Sequence, residues 1–191
     1  KARIQCFEMN QETAKILEKN CRKLTDITVH SIGLGDSTHT AEFYSYEGEQ
    51  SVLSSLRANL YSGFQPTRKH ATIITGDEFC EKNQITRIDL LKVDAEGADY
   101  EVIKGFSRML AQQAVSVIQF EHEGGRYIRD FYDLLSPFGY RIGKLYSGYV
   151  EFREHDISME RFLGPNYVAI HSSNQALIKD LETGWRQTSD S

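Results

Sequence analysis

The segment near the middle of the chain constrains the fold most, because an apolar strand pattern changes there to a helical one within a few residues. Residues 87–94, RIDLLKVD, form the most strand-like run in the sequence. The segment that follows has apolar residues at helical spacing, namely Val102, Ile103, Phe106, Met109 and Leu110. A buried strand followed by an amphipathic helix is the unit from which α/β folds with parallel sheets are built.

Strand and helix patterns alternate along most of the remaining chain. Residues 3–8 predict a short buried strand, and a helix follows for which Asn10 is the expected N-cap. Further strands are predicted at 27–34, 116–122, 141–146, 149–152 and 166–171, and further helices near 77–83, from Ile128 to Leu135 and at 175–185. We therefore expect an α/β fold with a mainly parallel sheet and helices on both faces, in a single domain over residues 1–191.

One connection is longer than the others. Strand patterns at 41–46 and 71–75 are separated by the polar stretch 47–70. A connection of this length is typical either of a binding loop or lid, or of a plain surface excursion. The sequence leaves both interpretations open.

Composition and charge narrow the class of protein. The net charge of -5 gives no electrostatic footprint for nucleic acid, and no apolar run approaches the roughly 20 residues that span a membrane. The three cysteines, Cys6, Cys21 and Cys80, lack CxxC spacing, so they predict neither a disulfide framework nor a zinc site. We expect a reduced, cytoplasmic setting, and the sequence leaves a homo-oligomer open.

Acidic residues stand where predicted strands end. Glu8, Asp94 and Glu121 each close a strand pattern, and His122 follows the last of them. In open α/β sheets, ligands bind outside the carboxyl ends of the strands, so these acids are candidates for one site. An acid after the second strand of a nucleotide-binding sheet accepts hydrogen bonds from ribose hydroxyls, and Glu8 suits that role. The alternative is that Glu8 is an ordinary exposed acid at a strand end.

The segment KVDAEGADYE, residues 92–101, combines two expected roles. We expect Asp94 to serve a ligand, because it ends the most strand-like run. Gly97 is expected to allow a tight turn, and Asp99 and Glu101 suit the positive N-terminus of the following helix. Glu96 is expected either to cap that helix or to orient Lys92, and a catalytic role is the alternative.

The same region resembles a known family. Residues 88–106, IDLLKVDAEGADYEVIKGF, closely resemble the hallmark of the FkbM-type S-adenosylmethionine-dependent methyltransferases. Four other segments, similar to family segments, occur in the same order: CFEMN at 6–10, SIGLGD at 31–36, SVLSSL at 51–56 and IQFEH at 118–122. Met9 stands where the family usually has proline. The resemblance covers roughly residues 3–145.

The resemblance implies a Rossmann-like methyltransferase fold with an inserted β-hairpin and S-adenosylmethionine as cofactor. In that family arrangement Glu8 would hold the ribose, and Ser31, Ile32 and Gly33 would lie near the adenine. Asp94 would face the methionine moiety or the reacting centre. The implied function is O-methylation of a sugar or another small-molecule hydroxyl.

A hydroxyl acceptor must lose a proton during methyl transfer, so the site needs a base. His122 is the best base candidate, with Asp94 and Glu121 as the other catalytic candidates; a structural strand-end histidine is the alternative. The same three residues are also candidate ligands for a divalent cation. Their spacing does not support that cation, and we predict no metal site.

The family's first strand, with its glycine-rich turn, has no counterpart upstream of Glu8, and the sequence starts with Lys1. We expect the parent protein to carry this strand before Lys1; the alternative is a partner chain that supplies it. Because the sequence lacks the glycine-rich strand, a second hypothesis is that the protein is a non-catalytic interaction or scaffold domain of the same fold. A third and weaker hypothesis is a dinucleotide-dependent oxidoreductase, because an acid after the second strand also suits NAD.

Overall fold

The computed structural model describes residues 2–45, 67–122, 126–160 and 166–184. The chain divides into two compact units, residues 1–76 and 77–191. Each unit is built from strands and helices, so the expected α/β class is correct. The single-domain organisation and the placement of helices on both faces of one sheet stay predictions.

The first unit contains five strands and one helix in its described residues. In chain order these are β1 (Ile4–Phe7), α1 (Gln11–Cys21), β2 (Ile27–His30), β3 (Gly33–Gly35), β4 (His39–Ser45) and β5 (Thr67–Thr75). Strand β1 pairs with β2 in parallel. A separate sheet has the order β3-β5-β4, with β3 parallel and β4 antiparallel to β5.

Two sequence predictions change in this unit. The single strand expected at 27–34 is two strands, because residues 27–30 pair with β1 whereas residues 33–35 pair with β5. The antiparallel β4–β5 pair agrees with the expected hairpin, but β5 begins at Thr67, inside the insertion predicted at 47–70. The remainder of that insertion, including the segment 51–56, lies outside the described residues.

The second unit begins at Asp77 and contains the sheet with the most strands in the described part of the chain. Its elements are α2 (Gly76–Lys82), β6 (Ile88–Lys92), α3 (Asp99–Lys104), α4 (Ser107–Ala111), β7 (Val115–Glu121), α5 (Ile128–Leu135), β8 (Tyr140–Tyr146), β9 (Tyr149–Phe152), β10 (Asn166–His171) and α6 (Gln175–Thr183). The sheet order is β6-β7-β10-β8-β9. No helix in the described part of the chain is long and apolar enough to cross a membrane.

The sheets are mixed, so the prediction of a mainly parallel sheet is not confirmed. Strands β6 and β7 are parallel neighbours, but β7–β10, β10–β8 and β8–β9 are antiparallel. The connection between β8 and β9 is a tight turn in which Gly148 has φ +97°. A turn that short joins only antiparallel strands, whereas parallel strands need a long crossover.

The helix expected after β6 is also divided, into α3 and α4. The carboxylate of Asp77 accepts hydrogen bonds from the backbone N–H groups of Arg108 and Met109, at 2.7 and 3.0 Å. These donors lie in the first turn of α4, where a helix has no internal acceptors for them. Asp77 therefore stabilises a new helix start immediately after α3.

An aromatic cluster lies in the core of the second unit. Phe120 of β7 stacks on Phe131 of α5, with ring centroids 4.6 Å apart, and on Tyr167 of β10 at 5.8 Å. All three side chains are at most 2% exposed. Because aromatic side chains bury large apolar areas, this cluster fixes the last residues of β7 against their neighbours. Those last residues include Glu121.

Candidate functional site

Glu8 lies directly after β1, and both its backbone and its side chain are held. Its N–H donates to the carbonyl of His30 at 3.0 Å, which continues the β1–β2 pairing by one residue. One carboxylate oxygen, Oε1, accepts the backbone N–H of Asn10 at 2.7 Å. Burial raises the pKa of Glu8, and the hydrogen bond from Asn10 opposes that shift. The carboxyl group therefore has a defined position at the strand end.

Asn10 connects this strand end to the following helix. The residue is fully buried, and its Oδ1 accepts the N–H of Glu12 at 3.1 Å, so the predicted N-cap of α1 is confirmed. Its Nδ2 donates to the hydroxyl of Ser45 at 3.1 Å. A capping residue held from both ends of its side chain gives Glu8 a rigid neighbour.

Of the residues predicted to lie near adenine, Ser31 and Ile32 lie between β2 and β3, and Gly33 is the first residue of β3. Ser31 is exposed and Ile32 is half-buried. Because Glu8 bonds to His30, the residue before Ser31, the structure brings Glu8 and Ser31 to the same end of the β1–β2 pair. Gly33 packs tightly, since a Cβ there would overlap the Ile73 side chain. For Gly33 the structure thus offers a packing role beside the predicted ligand role.

A cavity of about 340 Å³ opens beside the start of α1. Its lining consists of Met9, Asn10, Gln11, Glu12, Lys15, Phe43, Lys69 and His70. Lys69 forms an ion pair with Glu12 at 2.9 Å, and Lys15 is exposed. The lining therefore holds two lysines against one glutamate, which suits a ligand with a negative charge.

Asp94 follows β6 and is half-exposed. Its Oδ2 lies 2.8 Å from Nζ of Lys92, and the two side chains are 49% and 54% exposed. Lys92 is therefore oriented by Asp94. Between them, Val93 is buried and its N–H donates to the carbonyl of Gln119 at 2.8 Å, beyond the last residue of β6. This bond ties the start of the loop to β7.

The turn after Asp94 has an unusual backbone. Glu96 has φ +49° and Gly97 has φ +91°, so two consecutive residues adopt left-handed conformations. The N–H of Ala98 donates to the carbonyl of Ala95 at 3.0 Å and closes the turn. Glycine adopts positive φ without the steric cost of a Cβ, so the expected turn role of Gly97 is confirmed.

Asp99 contributes more than the helix start that the sequence predicted. Asp99 is buried, with only 2% of its surface exposed. Oδ2 accepts the N–H of Ala95 at 3.1 Å, and Oδ1 accepts the N–H of Glu121 at 2.9 Å. Burial raises the pKa of Asp99, and the two backbone N–H groups oppose that shift. Sequence reasoning missed the bond to Glu121 because no local pattern marks a partner 22 residues away.

Glu121 and His122 end β7 in different environments. Glu121 is half-buried, whereas His122 is fully buried, and its ring faces Phe131 and Tyr167 edge-on. Nε2 of His122 lies 2.9 Å from the carbonyl oxygen of Arg126. Because a carbonyl only accepts, Nε2 carries the proton, and a neutral His122 could act as a base only through Nδ1. The predicted base role of His122 stays a prediction, and this packing favours the structural alternative.

Asp94, Glu121 and His122 are only candidate ligands for a cation. Within residues 2–45, 67–122, 126–160 and 166–184, no group of three or more histidine, cysteine, aspartate or glutamate side chains is placed to hold a metal ion.

The chain thus has a mixed α/β fold with acids at the ends of two parallel-paired strands, β1 and β6. Its sequence matches the family described as "Methyltransferase FkbM domain" over residues 3–142. The chain belongs to this family, as residues 88–106 indicated.

Two curated relatives carry methyltransferase names. The hexuronic acid methyltransferase AglP of Haloferax volcanii is 30% identical over 139 residues, which is 71% of this chain and 54% of that protein. The 2-O-methyltransferase NoeI of Sinorhizobium fredii is 25% identical over 153 residues, which is 72% of this chain and 63% of that protein. The chain therefore spans a little over half the length of these relatives.

A solved structure is also similar. The methyltransferase FkbM from Methylobacillus flagellatus KT aligns with 88% of this chain and 36% of its own. The TM-score is 0.47 and the sequence identity is 16%.

Proposed function

We propose that this protein transfers a methyl group from S-adenosylmethionine to a hydroxyl of a sugar or another small molecule. The observation that carries the proposal is the family match over residues 3–142, which includes both Glu8 and Asp94. Both acids end a strand that has a parallel neighbour, the type of position where α/β proteins bind ligands.

Glu8 fits the ribose of the cofactor. An ionised carboxylate accepts about four hydrogen bonds, and the N–H of Asn10 takes one of them on Oε1. Two ribose hydroxyls need two acceptors, so the carboxylate has enough capacity. Because Asn10 is fully buried and fixed at both ends of its side chain, Glu8 would be positioned before the cofactor binds.

The cofactor supplies an electrophilic methyl group when it is bound. On the protein side, Asp94 is the acid best placed to orient a polar group or to accept a proton, since its carboxylate is half-exposed. The ammonium of Lys92 lies 2.8 Å from Oδ2 and orients the carboxylate. Glu121 is half-buried and is the second choice for this role. His122 ranks third because its side chain is fully buried.

The proposed acceptor is a sugar hydroxyl. The names of the two relatives support a sugar or a related alcohol, one as a hexuronic acid methyltransferase and the other as a 2-O-methyltransferase. The lysine-containing cavity beside α1 is compatible with an acidic sugar. Test substrates should therefore include an acidic sugar and its neutral counterpart.

Two measurements test the proposal. Isothermal titration calorimetry of the full-length protein with S-adenosylhomocysteine should show one site, and NAD should give no heat of binding. Radiolabelled S-adenosylmethionine should then label glucuronic acid, glucose or methyl glycosides of either sugar, with the label retained after mild base, as expected for an ether. Binding without transfer to any hydroxyl would contradict the acceptor class. Absence of binding would contradict the cofactor and favour the interaction-domain alternative.

A further inference from the structure

We propose that Asp99 is a positioning residue that holds the ends of β6 and β7 together and thereby places Asp94 and Glu121. The proposal deepens the proposed function and rests on it for the roles of Asp94 and Glu121. The bridge itself is independent of that function, because it consists of contacts within residues 77–191.

The bridge joins two segments that the strand pairing alone does not reach. The pairing of β6 with β7 runs from Ile88 to Lys92, and the Val93 N–H extends it by one further bond to Gln119. Past that point β6 turns away into the loop, and Glu121 is two residues further along β7. Asp99 reaches both segments, through Oδ2 to Ala95 and through Oδ1 to Glu121.

The loop needs such support because its backbone is strained. Glu96 is not a glycine and has φ +49°. A left-handed conformation at such a residue persists only where surrounding contacts determine it. The hydrogen bond from Ala95 to Asp99 fixes the residue before Glu96, and the bond from Ala98 to Ala95 closes the turn behind Gly97. Asp99 thus stabilises the conformation of the turn that directly follows Asp94.

The chemistry of the bridge requires a carboxylate. Each backbone N–H needs an acceptor, and the two carboxylate oxygens of Asp99 supply one each. An asparagine side chain has the same shape but one oxygen and one NH₂ group. In Asp99→Asn the NH₂ group would face a backbone N–H, so one of the two bonds would be lost. At 2% exposure, water has little access to replace it.

Asp77 provides a control that makes the same kind of contact at a less buried position. Its carboxylate also accepts two backbone N–H groups, those of Arg108 and Met109, at 2.7 and 3.0 Å. These groups start α4 and do not belong to the ends of β6 or β7. Asp77→Asn should therefore lose the same kind of contact without disturbing Asp94 or Glu121.

The first experiment measures the bridge by NMR in the wild-type protein. As the pH is lowered, the Asp99 carboxyl carbon should titrate, and the amide protons of Ala95 and Glu121 should shift with the same midpoint. In Asp99→Asn, hydrogen exchange at one or both of these amides should accelerate at least tenfold relative to Asp77→Asn. Amide protons that do not follow the Asp99 titration in the wild type would overturn the bridge, even if the variant fails to fold.

The second experiment measures the positioning role by enzyme kinetics on the substrate found in the labelling assay. Asp99→Asn should lower kcat at least tenfold and change the KM for S-adenosylmethionine less than threefold. If Asp77→Asn lowers the thermal stability as much as Asp99→Asn does, its kcat should still lie within twofold of the wild-type value. An equal fall of kcat in both variants would overturn positioning, because it would follow from stability alone. If the wild type transfers no methyl group, the proposed function fails, and the NMR result still decides whether the bridge exists.

Discussion

Glu8 and Asp94 both end a strand that has a parallel neighbour, but the protein holds the two acids by different means. Glu8 is fixed by its nearest neighbours in sequence, since its carboxylate binds the N–H of Asn10. Asp94 depends on a strained turn and on Asp99, which in turn binds the end of β7. Glu8 is also buried enough to raise its pKa, whereas Asp94 is half-exposed beside Lys92.

The difference separates a carboxylate that is bound directly by a residue two positions away from one whose loop is held by a buried carboxylate. The cap residue that binds Glu8 is itself fixed by Ser45, so both positions depend on one contact distant in sequence. A carboxylate at the start of a left-handed turn keeps its place only while the turn is intact. Substitutions should therefore affect stability and ligand binding in different proportions at the two strand ends.

Gly97→Val should have the largest effect, and on stability. At φ +91° a β-branched side chain is strongly disfavoured, so we expect the free energy of unfolding to fall by about 3 kcal/mol. Thermal melting monitored by circular dichroism measures this loss. Gly97→Ala should cost less, about 1–2 kcal/mol, because alanine lacks the branched Cβ. Equal stability of Gly97→Val and the wild type would show that the turn is not needed to hold the Asp94 end.

Glu8→Ala should have the next largest effect, and on affinity for the cofactor product. Loss of hydrogen bonds to a charged acceptor should weaken S-adenosylhomocysteine binding by about 1–3 kcal/mol. Isothermal titration calorimetry measures the change. Glu18→Ala, at an exposed position on α1, is the control and should bind as tightly as the wild type. Unchanged affinity in Glu8→Ala would show that Glu8 does not bind the cofactor, although its carboxylate has a fixed position.

The sequence predicted local features well because their causes are local. The N-cap at Asn10 and the positive φ at Gly97 each follow from residues within one strand–turn–helix unit, and the parallel pair β6–β7 follows from one strand–helix–strand unit. The family resemblance at 88–106 likewise depends on a contiguous segment, and the match over residues 3–142 confirms it. The candidate acids at the ends of β1, β6 and β7 were found in the same way.

Contacts between distant segments were not predictable in this way. The antiparallel pairs β7–β10 and β10–β8 depend on β10 lying between β7 and β8, which no local pattern shows. The acids illustrate the same limit. Asp77, Asp99 and Glu160 each accept two backbone N–H groups, and in each case at least one donor is more than 20 residues away. In the sequence they look like any other acids, so structural acids could not be separated from ligand-binding ones.

Asp94→Asn should affect turnover more than stability. The substitution keeps the size of the side chain but removes its charge, and an exposed ion pair contributes at most about 1 kcal/mol, so melting should change little. Methyl transfer should fall at least about tenfold, which is about 1.4 kcal/mol of lost transition-state stabilisation.

A matched control for Asp94→Asn exists on the same strand. Asp89 pairs with Arg87 at 3.1 Å, again two residues apart and exposed, but near the other end of β6. Asp89→Asn should leave turnover unchanged. If Asp94→Asn unfolds the protein while the specific activity of the folded fraction is intact, Asp94 is structural and the proposed contrast with Glu8 is lost.

The smallest expected effect is a pH dependence that belongs to Glu8. Burial raises the pKa of Glu8, against the opposing bond from Asn10, so the folded protein holds this proton more tightly than the unfolded chain does. Its contribution to stability is therefore complete below the unfolded pKa of about 4.3, and is lost as the pH rises through the higher folded pKa.

Ligand binding should show the opposite trend with pH, because only the ionised carboxylate of Glu8 accepts hydrogen bonds from two ribose hydroxyls. Affinity for S-adenosylhomocysteine should thus fall with decreasing pH, with a midpoint above the ordinary glutamate value. Glu8→Gln, which does not titrate, should remove this step from both the melting and the calorimetric profiles, whereas Asp94→Asn should leave it in place. If Glu8→Gln shows a pH-dependent step of the same size, another group titrates there and the burial of Glu8 does not affect binding.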